Sequence, residues 1–188
     1  MRKRCSLSQV VWLALLFAGM ILLPLGVNHK GLSAKTKLAA SQSKAAFIKQ
    51  IGPEVQEVAK AYGVNPSIII AQASLESDFG KTLLASRYHN LFATKAEKGD
   101  AIIRLRDSNN QMIAYAHYPS TAASVEAYLS QLKAGAIGDD KTYELFVGTK
   151  NDKQLAKSLE TTGFSADSQY AKALLDIINR YHLAQYNR

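Results

Sequence analysis

The chain has 188 residues, 47% of them apolar and 20% charged, which suits one folded domain and is too short for a multi-domain enzyme. Its single cysteine, Cys5, excludes an intrachain disulfide and a cysteine-built zinc site. The formal charge of +8 is unevenly spread: residues 1–40 carry six basic and no acidic side chains, whereas the other 148 carry 17 basic and 15 acidic ones. The bulk of the chain is therefore nearly neutral and lacks the basic footprint of a nucleic-acid binder.

Arg2, Lys3 and Arg4 precede an unbroken run of 18 apolar residues, Val10 to Val27. Such a run approaches the ~20 residues that cross a bilayer as a helix, and the basic start favours a cytoplasmic N-terminus. Residues 1–27 read as a membrane anchor or a signal peptide, since both share the basic start. Residues 28–43 are small, polar and lysine-bearing, and read as a linker. Residues 44–188 are then the exported domain.

In that domain, Ala45–Ile51 and Glu54–Tyr62 carry apolar residues at 3–4 spacing, and Gly52-Pro53 is expected to end or kink a helix between them. Asn65-Pro66 supplies an N-cap and a first-turn proline. The helix that follows, from Ser67 to about Ser77, is apolar nearly all round, the mark of a buried core helix. Residues 101–106 and 111–117 read as two strands of a hairpin around Asp107–Asn110. Helices are expected from Pro119-Ser120 to about Leu132, over Asp152–Glu160, and from an Asp167 cap to about Tyr181. The sum is a predominantly helical α+β fold with one small hairpin.

Glu76 stands out because it ends the most apolar helix. Burial disfavours its charged form, and the partial negative charge of a helix C-terminus acts in the same direction. Both favour a protonated carboxyl near neutral pH, as a general acid requires. A capping or ion-paired glutamate is the alternative at this position.

Four further segments, in order, carry a family resemblance: Gly63 to Lys81 with its Leu75-Glu76-Ser77, His89-Asn90-Leu91-Phe92-Ala93-Thr94-Lys95, Tyr115 to Ser120, and Gly163 to Ala171. Together they resemble the family 73 glycoside hydrolases, endo-β-N-acetylglucosaminidases that cut peptidoglycan. The resemblance spans residues 45–183. It implies a lysozyme-like helical core with a small β lobe, and Glu76 as the catalytic acid. This chain has Phe79 where many members carry Trp, and His89 and Ala93 where the motif has Asn and Gly.

Glycoside hydrolysis typically uses an acid and a second group. Asp107, the hairpin's acidic residue, is the candidate base, although Asp before Ser-Asn-Asn also suits a plain turn. Glu97 and Asp100 are the reserves, and the substrate's own N-acetyl group is a third possibility. Sugar sites combine aromatic platforms with hydrogen-bonding groups, so Phe79, Asn90, Phe92, Tyr118 and Tyr170 are the candidate substrate-binding residues. The resemblance implies that Tyr170 faces the acid. Lys95 would balance Glu76 or be solvated. The histidines are scattered, so no metal or other cofactor is expected. The expected partners are peptidoglycan strands and, through the N-terminal helix, a membrane. A lytic transglycosylase and a non-catalytic glycan-binding wall protein are the competing readings.

Overall fold

The structure, a computed structural model, describes residues 34–106, 110–139 and 141–188, and only the backbone of residues 34–42. The Val10–Val27 run and Asp107 lie outside the described residues. Among the described residues no helix is long and apolar enough to cross a membrane.

The chain order is α1 (Ala34–Ala61), α2 (Pro66–Glu76), α3 (Leu83–Tyr88), β1 (Ile102–Arg106), β2 (Met112–Ala116), α4 (Thr121–Lys133), α5 (Thr142–Gly148), α6 (Asp152–Thr161), α7 (Tyr170–Arg180) and a closing 3-10 turn, Leu183–Asn187. Helix α2 is the axle of this arrangement: α1, α6, α7 and the 3-10 turn all pack on it. Ile68, Ile69, Ile70, Ala71 and Ala73 are fully buried, as expected for a helix without a polar face. Its partners are amphipathic. Helix α1 contributes Ile48, Ile51, Val55 and Ala59, α6 contributes Leu155 and Leu159, and α7 contributes Leu174, Ile177 and Ile178.

Two expectations about α1 are corrected. Its helix already begins at Ala34, inside the segment read as a linker, and it runs through Gly52-Pro53 without ending. A helix-interior proline costs about 3 kcal/mol through a lost backbone bond and steric clash. Here Ile48 and Ile51 before Pro53, and Val55 and Ala59 after it, are all buried in the core, so packing supports the helix on both sides of the proline. Gly52 serves close approach: a Cβ there would lie 2.5 Å from the ring of Tyr186 in the 3-10 turn.

The N-terminus of α2 is also completed from a distance. Asn65 occupies the cap position but makes no side-chain cap bond. Its amide instead donates to the Lys150 carbonyl at 2.7 Å and to Asp152 Oδ1 at 3.0 Å. The Ser67 N–H donates to Asn187 Oδ1 at 3.0 Å, so the capping oxygen comes from the other end of the chain. Gln56 donates to the Tyr186 carbonyl, and Lys60 to that of Arg188, fastening the same turn to α1.

The hairpin matches the sequence pattern closely. Antiparallel pairing runs from Ile102 opposite Ala116 to Arg106 opposite Met112. Residues 94–96 lie along the other edge of β2, where Ala96 donates to the Ala114 carbonyl and Ala116 to that of Thr94. The last helix starts three residues after Asp167. Asp167 Oδ1 accepts from the Gln169 N–H at 2.8 Å and its carbonyl accepts from Tyr170, so it shapes the turn before the helix instead of capping it.

Candidate active site

Glu76 is the last residue of α2, and the backbone turns sharply behind it. Asp78, Phe79 and Gly80 follow one another at positive φ (46°, 54° and 78°). Left-handed geometry costs a non-glycine residue roughly 1–2 kcal/mol, so two such residues need support. Ser77 Oγ donates to the Ala73 carbonyl and accepts from the Gly80 N–H at 2.8 Å, while the Phe79 N–H reaches the Ser74 carbonyl at 2.8 Å. A Cβ on Gly80 would lie 2.6 Å from the Phe47 ring. The turn presses Phe79 edge-on against Phe47 and Tyr181, under the Lys44 ammonium.

Glu76 lies at the edge of an open cleft of about 170 Å³. One wall is the loop Phe92 to Glu97, and the other comes from Tyr128 and Gln131 of α4 with Ala136 and Ile137 beyond it. Glu76 keeps partial exposure through this cleft while protein surrounds it elsewhere. Burial raises its carboxyl from 4.5 to about 8, so at neutral pH it is mostly protonated.

The floor beneath the acid is polar but uncharged. Gln72, one helical turn before Glu76 on the same face, is 1% exposed. Its Nε2 donates to the Tyr170 hydroxyl at 3.0 Å, and its Oε1 is the one buried side-chain polar atom without a partner among the described residues. Tyr170 and Tyr128 are both buried, and both phenols are pushed upward by burial first and then by the nearby Glu76. They are neutral phenols throughout the physiological range. The Tyr128 ring stacks face to face on Phe92, with centroids 4.0 Å apart and planes 5° from parallel.

Asn90 organises the loop wall. Its Nδ2 donates to the carbonyls of Thr94 and Ala116, each at 2.9 Å, and its Oδ1 accepts from Thr94 N–H at 2.9 Å and Thr94 Oγ1 at 3.1 Å. Thr94 Oγ1 in turn lies 2.8 Å from the Tyr118 hydroxyl. His89 and Ala93 both sit at positive φ (52° and 50°). These are the positions where the resembled motif carries Asn and Gly, residues that tolerate this geometry best.

The structure thus divides the sequence-derived candidates. Glu76 and Phe92 line the cleft, joined by Lys95 and the reserve acid Glu97. Tyr170 lies beneath the acid. Asn90 and Tyr118 stand behind the loop wall, with every amide position of Asn90 already occupied within the protein. Phe79 packs on α1 and the end of α7 and is not among the residues lining the cleft. Asp100 holds the loop, its Oδ2 accepting from the Glu97 N–H at 2.8 Å. Sequence reasoning missed Tyr128 and Gln72. Tyr128 recurs with Val125, Leu129 and Leu132 at core spacing, so nothing local separates it from packing. The signal at Gln72 was its amide in an otherwise apolar run. Among the described residues no three His, Cys, Asp or Glu side chains gather as a metal site.

The family model described as glucosaminidase, mannosyl-glycoprotein endo-beta-N-acetylglucosaminidase, matches residues 52–183. The chain belongs to this family. Among curated glucosaminidase relatives, the exo-glucosaminidase LytG of Bacillus subtilis is 30% identical over 148 residues, covering 75% of this chain and 52% of its own length. A probable N-acetylmuramidase of Lactococcus lactis is 29% identical over 185 residues, covering 91% of this chain and 42% of the relative. The chain therefore spans about half the length of the curated relatives it matches. Among solved structures, the catalytic domain of the autolysin Auto from Listeria monocytogenes superposes with a TM-score of 0.65 at 25% identity, covering 84% of this chain and 99% of that one. The lysozyme-like arrangement of a helical core with a small hairpin is thus shared with glycoside hydrolase domains of known structure.

Proposed function

We propose that this glucosaminidase-family chain is a peptidoglycan hydrolase that cleaves the β-1,4 bond between N-acetylglucosamine and N-acetylmuramic acid. The observation that carries the reading is Glu76, a carboxyl kept protonated by burial at the edge of an open cleft. A leaving-group oxygen held there receives its proton as the glycosidic bond breaks. Phe92, backed by Tyr128, offers an aromatic face to the apolar side of a sugar ring. Tyr170 and Gln72 shape the floor under the acid, whereas Asn90 and Tyr118 act through the loop they hold. Asp107 keeps its sequence-derived candidacy as a second carboxylate. The N-terminal apolar run tethers the domain to a membrane or directs its export, which brings it to the wall.

The relatives' names differ on the bond, one reading glucosaminidase and another N-acetylmuramidase. Digestion of purified peptidoglycan, followed by borohydride reduction and mass spectrometry of the fragments, decides between them. Reduced N-acetylglucosamine ends are expected. Reduced N-acetylmuramic acid ends would make the protein a muramidase, and anhydro-muramyl ends a transglycosylase. No new ends, with glycan still retained in a pull-down, would leave a binding protein. Fractionation of cells producing the full chain tests the tether: it is expected in the membrane fraction or, once cleaved, in the wall fraction. A cytoplasmic pool alone would remove that part of the reading.

A further inference from the structure

The two sides of the hairpin differ in a way that the chemistry above does not use. Ile103, Leu105, Ile113 and Tyr115 share one side and are half-buried. The other side sets Ile102, Arg104 and Arg106 of β1 opposite Ala116, Ala114 and Met112 of β2. Ile102 and Met112 are two of the three large apolar side chains that are exposed among the described residues. Both arginines are exposed beside them, and no acidic residue stands on this side of the paired strands. Arg106 Nη1 donates to the Asn110 carbonyl at 2.8 Å, which ties it to the end of the hairpin. Arg104 makes no hydrogen bond or ion pair among the described residues, and the small Ala114 opposite it leaves the guanidinium uncovered.

This face continues a wall of the cleft. Lys95 is bridged to Tyr115, so the next residue, Ala96, shares the side of Ala114 and Arg104. Ala96 lines the cleft. Neighbouring strands stand about 4.8 Å apart, so Arg104 lies roughly 10 Å beyond Ala96 across the sheet. A polymer seated in the cleft carries its substituents past this face.

We propose that the hairpin face of Arg104 and Arg106 is a specificity surface for acidic peptides attached to the glycan, whose carboxylates it holds while the sugar strand lies in the cleft. This rests on the hydrolase reading above and adds the part of the substrate that lies off the sugar backbone. A guanidinium presents a rigid fork of N–H donors that matches a carboxylate. Ile102 and Met112 cover the apolar parts of the same peptide. A purely anionic wall polymer makes no use of this apolar flank, and a membrane surface makes no use of the continuity with the cleft.

The test compares the full chain on two soluble glycans, one with its peptides intact and one stripped of them. The wild type is expected to favour the peptide-bearing glycan about 10-fold in kcat/KM, mostly through KM. Arg104→Gln is expected to cut that preference about 3–10-fold, and Arg104→Lys to restore only part of it. Amidation of the peptide carboxylates is expected to lower the preference of the wild type to that of Arg104→Gln. Equal kcat/KM on the two glycans in the wild type, or an unchanged preference in Arg104→Gln, would overturn the proposal. So would an unchanged preference in Arg104→Gln together with lost binding to phosphatidylglycerol vesicles, which would make the face a membrane contact. Absence of turnover on both glycans would sink the hydrolase reading. Retention of the two glycans by the immobilised protein then judges the face alone: stronger retention of the peptide-bearing one that Arg104→Gln weakens supports it, and equal retention overturns it.

Discussion

Helix α2 and the loop-and-hairpin lobe opposite it face the same cleft but are built by opposite rules. The helix is buried on every side, and its one ionisable residue is placed at its end. The lobe is thin: β1 alternates exposed and half-buried residues, and Ile102 and Met112 are exposed outright. Rigidity in the helix comes from apolar packing, whereas in the loop wall it comes from the amide of Asn90 and the carboxylate of Asp100. A proton donor needs a dry, fixed seat, and the surface that receives a long polar glycan must stay open to water. The contrast teaches that this cleft is a junction of two environments, a buried helix end that raises the Glu76 carboxyl and an open lobe exposed to solvent.

The sharpest way to break the comparison is to remove the acid while keeping its shape. Glu76→Gln is expected to lower turnover about 10²–10⁴-fold with an unchanged circular dichroism spectrum and glycan binding intact. Retained turnover would show that the buried helix end is structural only.

A second test reads the burial itself as a pH dependence of stability. The folded carboxyl titrates near 8 against 4.5 when unfolded, so between those values the native state holds a proton that the unfolded state has lost. The stabilisation is full below about pH 4.5, declines as pH rises, and is gone above about 8. The slope has a ceiling of about 1.4 kcal/mol per pH unit for one proton, and Glu76's partial exposure narrows the window over which it acts. Urea unfolding of wild type and Glu76→Gln across this window is expected to show the decline in the wild type only. Parallel curves would mean that the acid is solvated like a surface residue.

On the lobe side, Asn90→Ala is expected to cost roughly 2–4 kcal/mol, because it strands buried backbone groups of Thr94 and Ala116. A loss under about 1 kcal/mol in urea unfolding would show that the loop wall holds itself without the amide. The smallest expected effect is at the platform. Phe92→Leu removes a ring stacked on Tyr128, and a loss of about 0.5–1.5 kcal/mol raises KM roughly 2–10-fold with little change in kcat. A change confined to kcat would assign Phe92 to the chemistry instead of to binding.

Much of this architecture is legible along the chain, and the reasons are local. A nearly all-apolar run of helical length with a capping asparagine and a proline start reads as a buried helix, so α2 and the carboxyl at its end follow directly. Alternation in residues 101–117 likewise places the hairpin within a residue of its observed limits. Of the two outcomes expected at Gly52-Pro53, an end or a kink, the helix does not end there because propensity is a weak prior: packing of α1 on α2 outweighs the proline, and Tyr186 needs the space that Gly52 leaves.

What tertiary structure alone decided is which side of the wall each motif residue faces. Phe92 and Asn90 are two positions apart, yet one lines the cleft and the other is saturated behind it. The acid, the loop Phe92–Glu97 and the α4 face with Tyr128 come from three separate stretches of chain. Their meeting depends on long-range partners, such as Asn187 capping the acid-bearing helix and Ala114 pinning the loop, that no local spacing encodes. Periodicity reports which face of an element is buried; it carries no information about which other segment buries it. Glu76 was therefore readable from its own helix, while the residues that line the cleft around it meet only in the folded chain.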